Sequence, residues 1–486
     1  MVTRRLLDFA SELVEEILFH VDLHVDLINF ACTCKLAASF VIPRHSEYRV
    51  LVFGDLRLAL WAHLASRPDF TRNLRKISFT PLQERSKCRL PRDFRSSCTS
   101  ADEDATPEQL TRYARDMQKA FSYMQDLEEL LIAAGNGVMI AGVYSPALLG
   151  AIVARKPRLR MLAIRHGSSF DKLCESGDIR GDANYLTGLS HLHLSLGQGP
   201  KEPIPVGLWA QNARRLVYLS MPSDCFHSPL SIQMPCLQTL RIYRASVQDS
   251  SSTFPDFLKQ HPTIEDLSWF PTNEVVLRPG TLPRLKVLLG TMSTLRALES
   301  SYSQLAEDAT TPPEKYRIEC LSILHGTIET ISSFKCFDWT SLRTFDFHNN
   351  LESPESLSLL ARMCPQIHTL CFPMSWGNGS WTQQTLLIAL SQFAQLVYLP
   401  TRAIWSFIDC RQQQEVTDLV VKLGLFCPEL KWLPWWNNSY ADEDPKDVLI
   451  VRKRTNSGIN VSYSLEPAEP RHEFDPLHMF FHDSQR

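Results

Sequence analysis

Glycine is scarce in this 486-residue chain, at 19, and no Gly-X-Y period runs through it, so collagen-like and Gly/Ser-linker compositions are excluded. An excess of one charge is lacking too. Fifty basic residues against 53 acidic ones leave a net −3, with no Lys/Arg-rich stripe, and that balance calls for no nucleic acid or other polyanion. There is no Gly-x-Ser-x-Gly elbow, phosphate-binding loop, dinucleotide fingerprint or His-Glu-x-x-His. Ser, His and Asp are plentiful, but nothing nominates a triad, and the expectation is a chain without catalytic residues or a cofactor. Unbroken hydrophobic runs are missing as well. Residues 130–154 carry no charge, but Gly135, Asn136, Gly137, Gly142, Ser145 and Pro146 interrupt them and Arg155-Lys156-Pro157 follows. That pattern reads as a buried strand, a tight loop and a short helix, so no membrane partner is expected.

The 13 cysteines are odd in number and scattered, and a chain this long needs no disulfide staples. Asp8, Glu12, Glu15 and Glu16 arrive before any apolar run of signal-peptide length. The expected setting is reducing and intracellular, cytoplasmic or nuclear. With 44% hydrophobic and 21% charged residues the chain is of ordinary globular composition, long enough for about three domains or one repeat array.

Near the amino terminus, Leu13, Val14, Ile17, Leu18 and Val21 recur at helical spacing, with Asp8 or Ser11 as candidate caps. A second helix is expected after Asp26, with Leu27, Phe30, Ala31, Cys34 and Ala38 on its apolar side and Pro43 as its stop. Two such helices carry more large apolar side chains than they can enclose. At about 1.5–3 kcal/mol per buried side chain, the surplus favours docking onto something else. Cys32 and Cys34, two apart on one helix, would point in different directions and cannot share a metal ion.

The run from Phe9 to Val21 (Phe-Ala-Ser-Glu-Leu-Val-Glu-Glu-Ile-Leu-Phe-His-Val), followed by Asp26-Leu27 and Cys32-Thr33-Cys34-Lys35, resembles an F-box. Phe9 and Ala10 depart from the family's opening Leu-Pro, which weakens the helix start without altering its face. The resemblance covers about forty-five residues, under a tenth of the chain. It implies docking onto Skp1, and through Skp1 onto a cullin, by Phe9, Leu13, Ile17, Leu18, Leu27 and Phe30. The alternative is a helical hairpin that merely caps the rest of the molecule.

From residue 74 a phrase returns, hydrophobic-x-x-hydrophobic-x-hydrophobic. Full copies are Leu74/Ile77/Phe79, Leu127/Leu130/Ile132, Leu159/Leu162/Ile164, Leu189/Leu192/Leu194, Leu216/Leu219/Met221, Leu237/Leu240/Ile242, Ile264/Leu267/Trp269, Leu342/Phe345/Phe347, Ile367/Leu370/Phe372 and Leu430/Leu433/Trp435. Leu285/Leu288 and Leu396/Leu399 are partial. Pro157, Pro235, Pro262, Pro365 and Pro428 stand two residues before a full phrase, where composition alone predicts about one such coincidence. The pattern resembles leucine-rich repeats, a phrase-strand followed by a returning helix or loop, and the whole chain resembles fungal-type F-box proteins with C-terminal repeats of this kind. Three buried side chains contribute about 5–9 kcal/mol, whereas ordering some 25 residues costs about 40, so no repeat folds alone. The expected fold is α/β: an F-box over 1–50, an irregular solenoid with parallel strands over 51–436, and a cap or tail over 437–486. Val448–Val451 has the composition of a further strand. Loop insertions are expected near 81–108 and 300–315, where charged or Ser/Thr/Pro-rich stretches lie.

Strand alternation sends the repeated apolar positions to the core and the residues between them to the concave face. That face would carry Arg165, His191, His193, Ser195, Tyr218, Ser220, Arg241 and Tyr243, then Asp266, Ser268, Phe270, Asp346, His348, Trp432 and Trp436. Arg165, His191, His193, Tyr218, Arg241 and Tyr243 are the candidates for contact with a protein substrate, since clustered arginine and aromatic side chains suit a binding hot spot. His191-x-His193 has two imidazoles on one strand face but no evident third ligand, so no metal site is expected. Taken together, the expected function is a non-catalytic substrate adaptor of a Skp1–cullin–F-box ubiquitin ligase. The alternative is a repeat scaffold unconnected to any ligase.

Overall fold

The computed structural model describes residues 6–21, 24–53, 57–79, 89–95, 106–133, 158–165, 188–195, 211–222, 232–243, 253–308, 312–349, 351, 353–373, 381–410, 412–435, 446–455 and 458–467. The chain forms two compact units, Met1–Ile264 and Glu265–Arg486.

The first unit opens with three helices, α1 (Ser11–Phe19), α2 (His24–Ala31) and α3 (Lys35–Val41). Sequence spacing leads one to expect a single second helix; the chain instead breaks at 32–34, and the Cys34 thiol, as N-cap, accepts the Ala37 amide at 3.4 Å. Val14, Leu18, Leu27, Ala31 and Val41 form a small core of their own, with Leu7, Val21, Phe30, Ala38 and Phe40 packed against it.

Strands β1 (Val50–Phe53), β2 (Lys76–Phe79), β3 (Glu129–Ala133), β4 (Met161–Arg165), β5 (His191–Ser195), β6 (Tyr218–Pro222) and β7 (Thr239–Tyr243) follow. Each pairs in parallel with the next. The register aligns the middle residue of each phrase in one row, Leu51, Ile77, Leu130, Leu162, Leu192, Leu219 and Leu240, all buried. Tyr48/Leu51/Phe53 is thus the first phrase, one place earlier than the first copy found in the sequence, and the boundary at residue 50 falls at the start of a strand rather than in a linker. Between the first three strands run α4 (Leu58–Ser66), α5 (Pro68–Thr71), α6 (Arg92–Arg95) and α7 (Pro107–Tyr123). The helix α7 begins where the loop expected near 81–108 ends. Its start is fixed by a Thr106–Gln109 capping box, and its Phe121 ring stacks at 5.3 Å on buried Trp61 of α4.

The second unit continues the pattern with β8 (Asp266–Trp269), β9 (Val287–Gly290), β10 (Cys320–Ile323), β11 (Thr344–Phe347) and β12 (Thr369–Cys371), again parallel and in chain order. Ile318/Leu321/Ile323 is a further phrase, buried throughout, that sequence inspection passed over. At Leu285/Leu288 the third apolar position is Gly290 because a Cβ there would lie 2.7 Å from Thr294 Oγ1 and 3.0 Å from the Trp269 carbonyl oxygen. A 17-residue helix, Met292–Asp308, occupies much of the segment expected to be loop near 300–315. Returning helices Pro354–Met363, Gln383–Leu390 and Gln413–Phe426 follow their strands. The unit ends in a three-stranded sheet, β13 (Trp432–Pro434), β14 (Lys446–Thr455) and β15 (Gly458–Pro467), with both pairings antiparallel. The expected strand at 448–451 is part of β14. Together these elements make a leucine-rich-repeat-like α/β architecture.

Candidate functional site

The broad apolar stripe of α1 divides into two rows. Adjacent residues on a helix differ by about 100°, so one row faces inward and the next faces sideways. Val14 and Leu18 turn into the helical core; Leu13 and Ile17, four apart, are 53% and 44% exposed, and Phe9, two residues ahead of the helix, is 42% exposed. Exposed apolar side chains continue on α2 and α3 with Val25, Ile28 and Leu36, and Ile42 follows. Of the six residues expected to touch a partner, three therefore lie on an open face. Leu18 and Leu27 do not: they are buried and hold the hairpin together, and Phe30 is half-buried against the same core. The shared 3.6 period of both rows explains why spacing alone merged them.

The helices are fastened to the first strands by arginine. The last carbonyls of α1 have no partner within the helix. Buried Arg49, just ahead of β1, donates to the carbonyls of Leu18 at 3.0 Å and Phe19 at 2.8 Å, and also to that of Val21. Arg75, just ahead of β2, donates to the Phe19 carbonyl and to Glu128 at 3.2 Å, and its guanidinium lies 4.7 Å above the Phe19 ring. Two positive charges at the negative end of the α1 dipole add to the attachment. Glu15 completes it from the helix side, accepting from Arg44 at 2.7 Å and bonding the buried His45 ring at 2.9 Å. Burial holds the His45 pKa below the ordinary histidine range despite the raising effect of Glu15. Sequence reading missed these arginines. Their signal is position: each follows the first apolar residue of its phrase, and the alignment emerges only once Tyr48/Leu51/Phe53 is counted.

The expected substrate patch on β4–β7 is organised sideways rather than outward. His193 and Arg241 are only 4% and 7% exposed, so neither is the open concave contact expected of it. His193 Nδ1 is 2.9 Å from Ser220 Oγ, and Arg241 stands 5.6 Å from the Tyr218 ring centroid. His191 is exposed and stacks on half-buried Tyr218 at 5.9 Å. The side chains of Arg165 and Tyr243 lie outside the described residues, as does Trp436. Among the described residues no group of three His, Cys, Asp or Glu is placed to hold a metal ion, and no helix is long and apolar enough to cross a membrane.

In the second unit the corresponding face is more open. Asp346 and His348 form a half-exposed pair, with His348 Nε2 3.0 Å from Asp346 Oδ2 and 3.0 Å from Ser322 Oγ. The residue types are those of a hydrolytic triad, but the geometry is not. Serine and aspartate meet the same ring nitrogen, whereas a proton relay needs them on opposite nitrogens.

No family model matches this chain, and no curated protein does. A crystal structure of the Rad7 and Elc1 complex in yeast is similar over 87% of this chain and 86% of that one, at 14% identity and a TM-score of 0.37.

Proposed function

We propose that the chain is a non-catalytic adaptor of a Skp1–cullin–F-box ubiquitin ligase, intracellular, with α1–α3 as the Skp1-binding module and the repeat sheet as the holder of a protein target. The observation that carries this reading is the open face of Leu13 and Ile17, with Phe9 just ahead of it, on a helix whose other apolar row is already used internally. A hairpin serving only as a cap would turn both rows inward. The arginine attachment at the end of α1 supports the same reading, since positioning a target depends on a fixed relation between the docking helix and the strands behind it. In this reading the chain contributes effective concentration and orientation, and the chemistry belongs to the ligase.

The second reading, a repeat scaffold whose helices meet no ligase, draws on the same attachment, because a cap also needs anchoring. Co-expression with Skp1 separates the two. Skp1 should co-purify with the wild type and be lost with Leu13→Asp/Ile17→Asp; equal recovery with both proteins defeats the ligase reading.

A further inference from the structure

We propose that β15 is a dimerisation edge, to which a second copy of this chain adds its own β15 in antiparallel register about Ser462. The inference is independent of the adaptor reading.

The hydrogen-bond pattern of the terminal sheet leaves this edge open. β14 stands between β13 and β15, and its residues bond the two neighbours in alternation. The Ile450 amide donates to the Lys431 carbonyl at 2.9 Å, on the β13 side, so Leu449, Val451 and Lys453 bond β15. Their partners there are Ser464, Ser462 and Asn460. The amides and carbonyls of Ile459, Val461, Tyr463 and Leu465 therefore point to the outer side, where no strand pairs with them among the described residues. At the opposite edge, Trp432 of β13 bridges to Tyr398. Among the described residues, β15 is thus the open edge of this sheet.

That edge lacks the features that keep strands from pairing with other chains. From Ile459 to Glu466 it runs in unbroken one-to-one register with β14, without a bulge, a proline or a lysine. Its inner face is held firmly. Val461 is buried against Gly424 of the helix Gln413–Phe426, and the Tyr463 hydroxyl accepts from Gln413 Nε2. Ile459 and Leu465, at the two ends of the same row, stay 63% and 44% exposed.

The strand is complementary to itself. Pairing about Ser462 sets Ile459 opposite Leu465 of the second copy and Val461 opposite Tyr463, and the two-fold axis makes each match twice. All four carry outward main-chain groups, so about eight hydrogen bonds can form. The side chains that meet at the ends are the two exposed apolar ones. Glu466, the one charged residue of β15, falls opposite Gly458 of the second copy, at the end of that hairpin where β14 carries Lys453 and Arg454. No like charges face each other. Registers centred on Val461 or Tyr463 would lose the Ile459–Leu465 match. Because the axis uses up the open edge of both copies, the product is a closed dimer and not a filament.

The test is sedimentation equilibrium of the full chain. A strand edge is a small interface, so the mass should rise from 55.5 kDa towards twice that value over about 1–100 μM. Ile459→Lys/Leu465→Lys places like charges directly opposite and should weaken the dimer at least about tenfold. Ile459→Lys/Leu465→Glu places opposite charges at the same two matches and should recover most of that loss. Both variants should melt within about 2 °C of the wild type, since the substituted side chains face solvent. A wild type that stays monomeric to about 100 μM overturns the proposal, whether the edge is then taken by the chain's own residues 468–486 or by another protein. So does a Lys/Lys variant that dimerises as the wild type does, or a Lys/Glu variant no tighter than Lys/Lys.

Discussion

Replacing Arg49 tests how the N-terminal helices are attached. Its guanidinium is buried and donates to three carbonyls, those of Leu18 and Phe19 at the end of α1 and that of Val21 just beyond it. Arg49→Met keeps an unbranched apolar stem while removing every donor. A hydrogen bond from a charged group contributes about 1.5–3 kcal/mol, and such contributions are not additive within one cluster. Breaking a buried charged interaction by removing one partner typically costs about 3–5 kcal/mol, and that is the loss expected here. For a unit the size of Met1–Ile264, each kcal/mol corresponds to about 2–4 °C in melting temperature, so a fall of roughly 10 °C should be seen by calorimetry. Hydrogen exchange should place the loss: amides of α1 exchange faster, while those of β5–β7 change little below the global transition. A change under about 1 kcal/mol, or unaltered α1 protection, would refute the claim that arginine carries this junction.

Acid should destabilise the first unit. His45 and His261 are both held below the ordinary histidine pKa chiefly by burial. His261 Nδ1 donates to the Phe257 carbonyl at 2.7 Å and Nε2 accepts the Met234 amide at 2.9 Å, an arrangement only the neutral ring can make. The unfolded chain therefore binds more protons, so stability is full above the ordinary histidine pKa and falls as pH drops through and below it. The slope is at most about 1.4 kcal/mol per pH unit for each ring, and melting temperatures measured between pH 7.5 and 5 should fall less steeply in His261→Gln. Gly424→Leu should cost about 1–3 kcal/mol by denaturant titration, because a Cβ at that position would lie 2.5 Å from Val461 and 3.2 Å from Ile450 of the terminal hairpin. Leu13→Asp/Ile17→Asp should leave the melting temperature within about 2 °C of wild type, since both side chains already face solvent.

The repeat was legible because its physics is local. Each full phrase repeats three apolar residues at fixed spacing, and the structure buries all three in every one except Leu430/Leu433/Trp435, whose tryptophan is half-buried. Two phrases escaped notice for different reasons. Tyr48/Leu51/Phe53 was absorbed into the preceding helical region, and Ile318/Leu321/Ile323 follows a Pro- and charge-rich stretch read as loop. The helices Pro107–Tyr123 and Met292–Asp308 were hidden because their outer faces are polar, and composition weighs those faces as heavily as the buried ones. For the candidate substrate residues, alternation does not give accessibility, and His193 and Arg241 are buried. His193 and Ser220 satisfy each other across neighbouring strands, a pairing that depends on register, which no single strand encodes. Likewise, Leu13 and Leu18 share one helical stripe, and only the position of α2 and α3 decides which of them turns inward.

The central claim is that the outer row of α1 belongs to a partner. Titration calorimetry of the full chain with purified Skp1 tests it most directly. The wild type should bind with a negative heat-capacity change, the mark of apolar burial. Leu13→Asp/Ile17→Asp should bind at least about 100-fold more weakly while melting as the wild type does, two hot-spot losses of about 2 kcal/mol or more each. Wild-type and doubly substituted chains that bind Skp1 equally, or a wild type that does not bind it, would contradict the account.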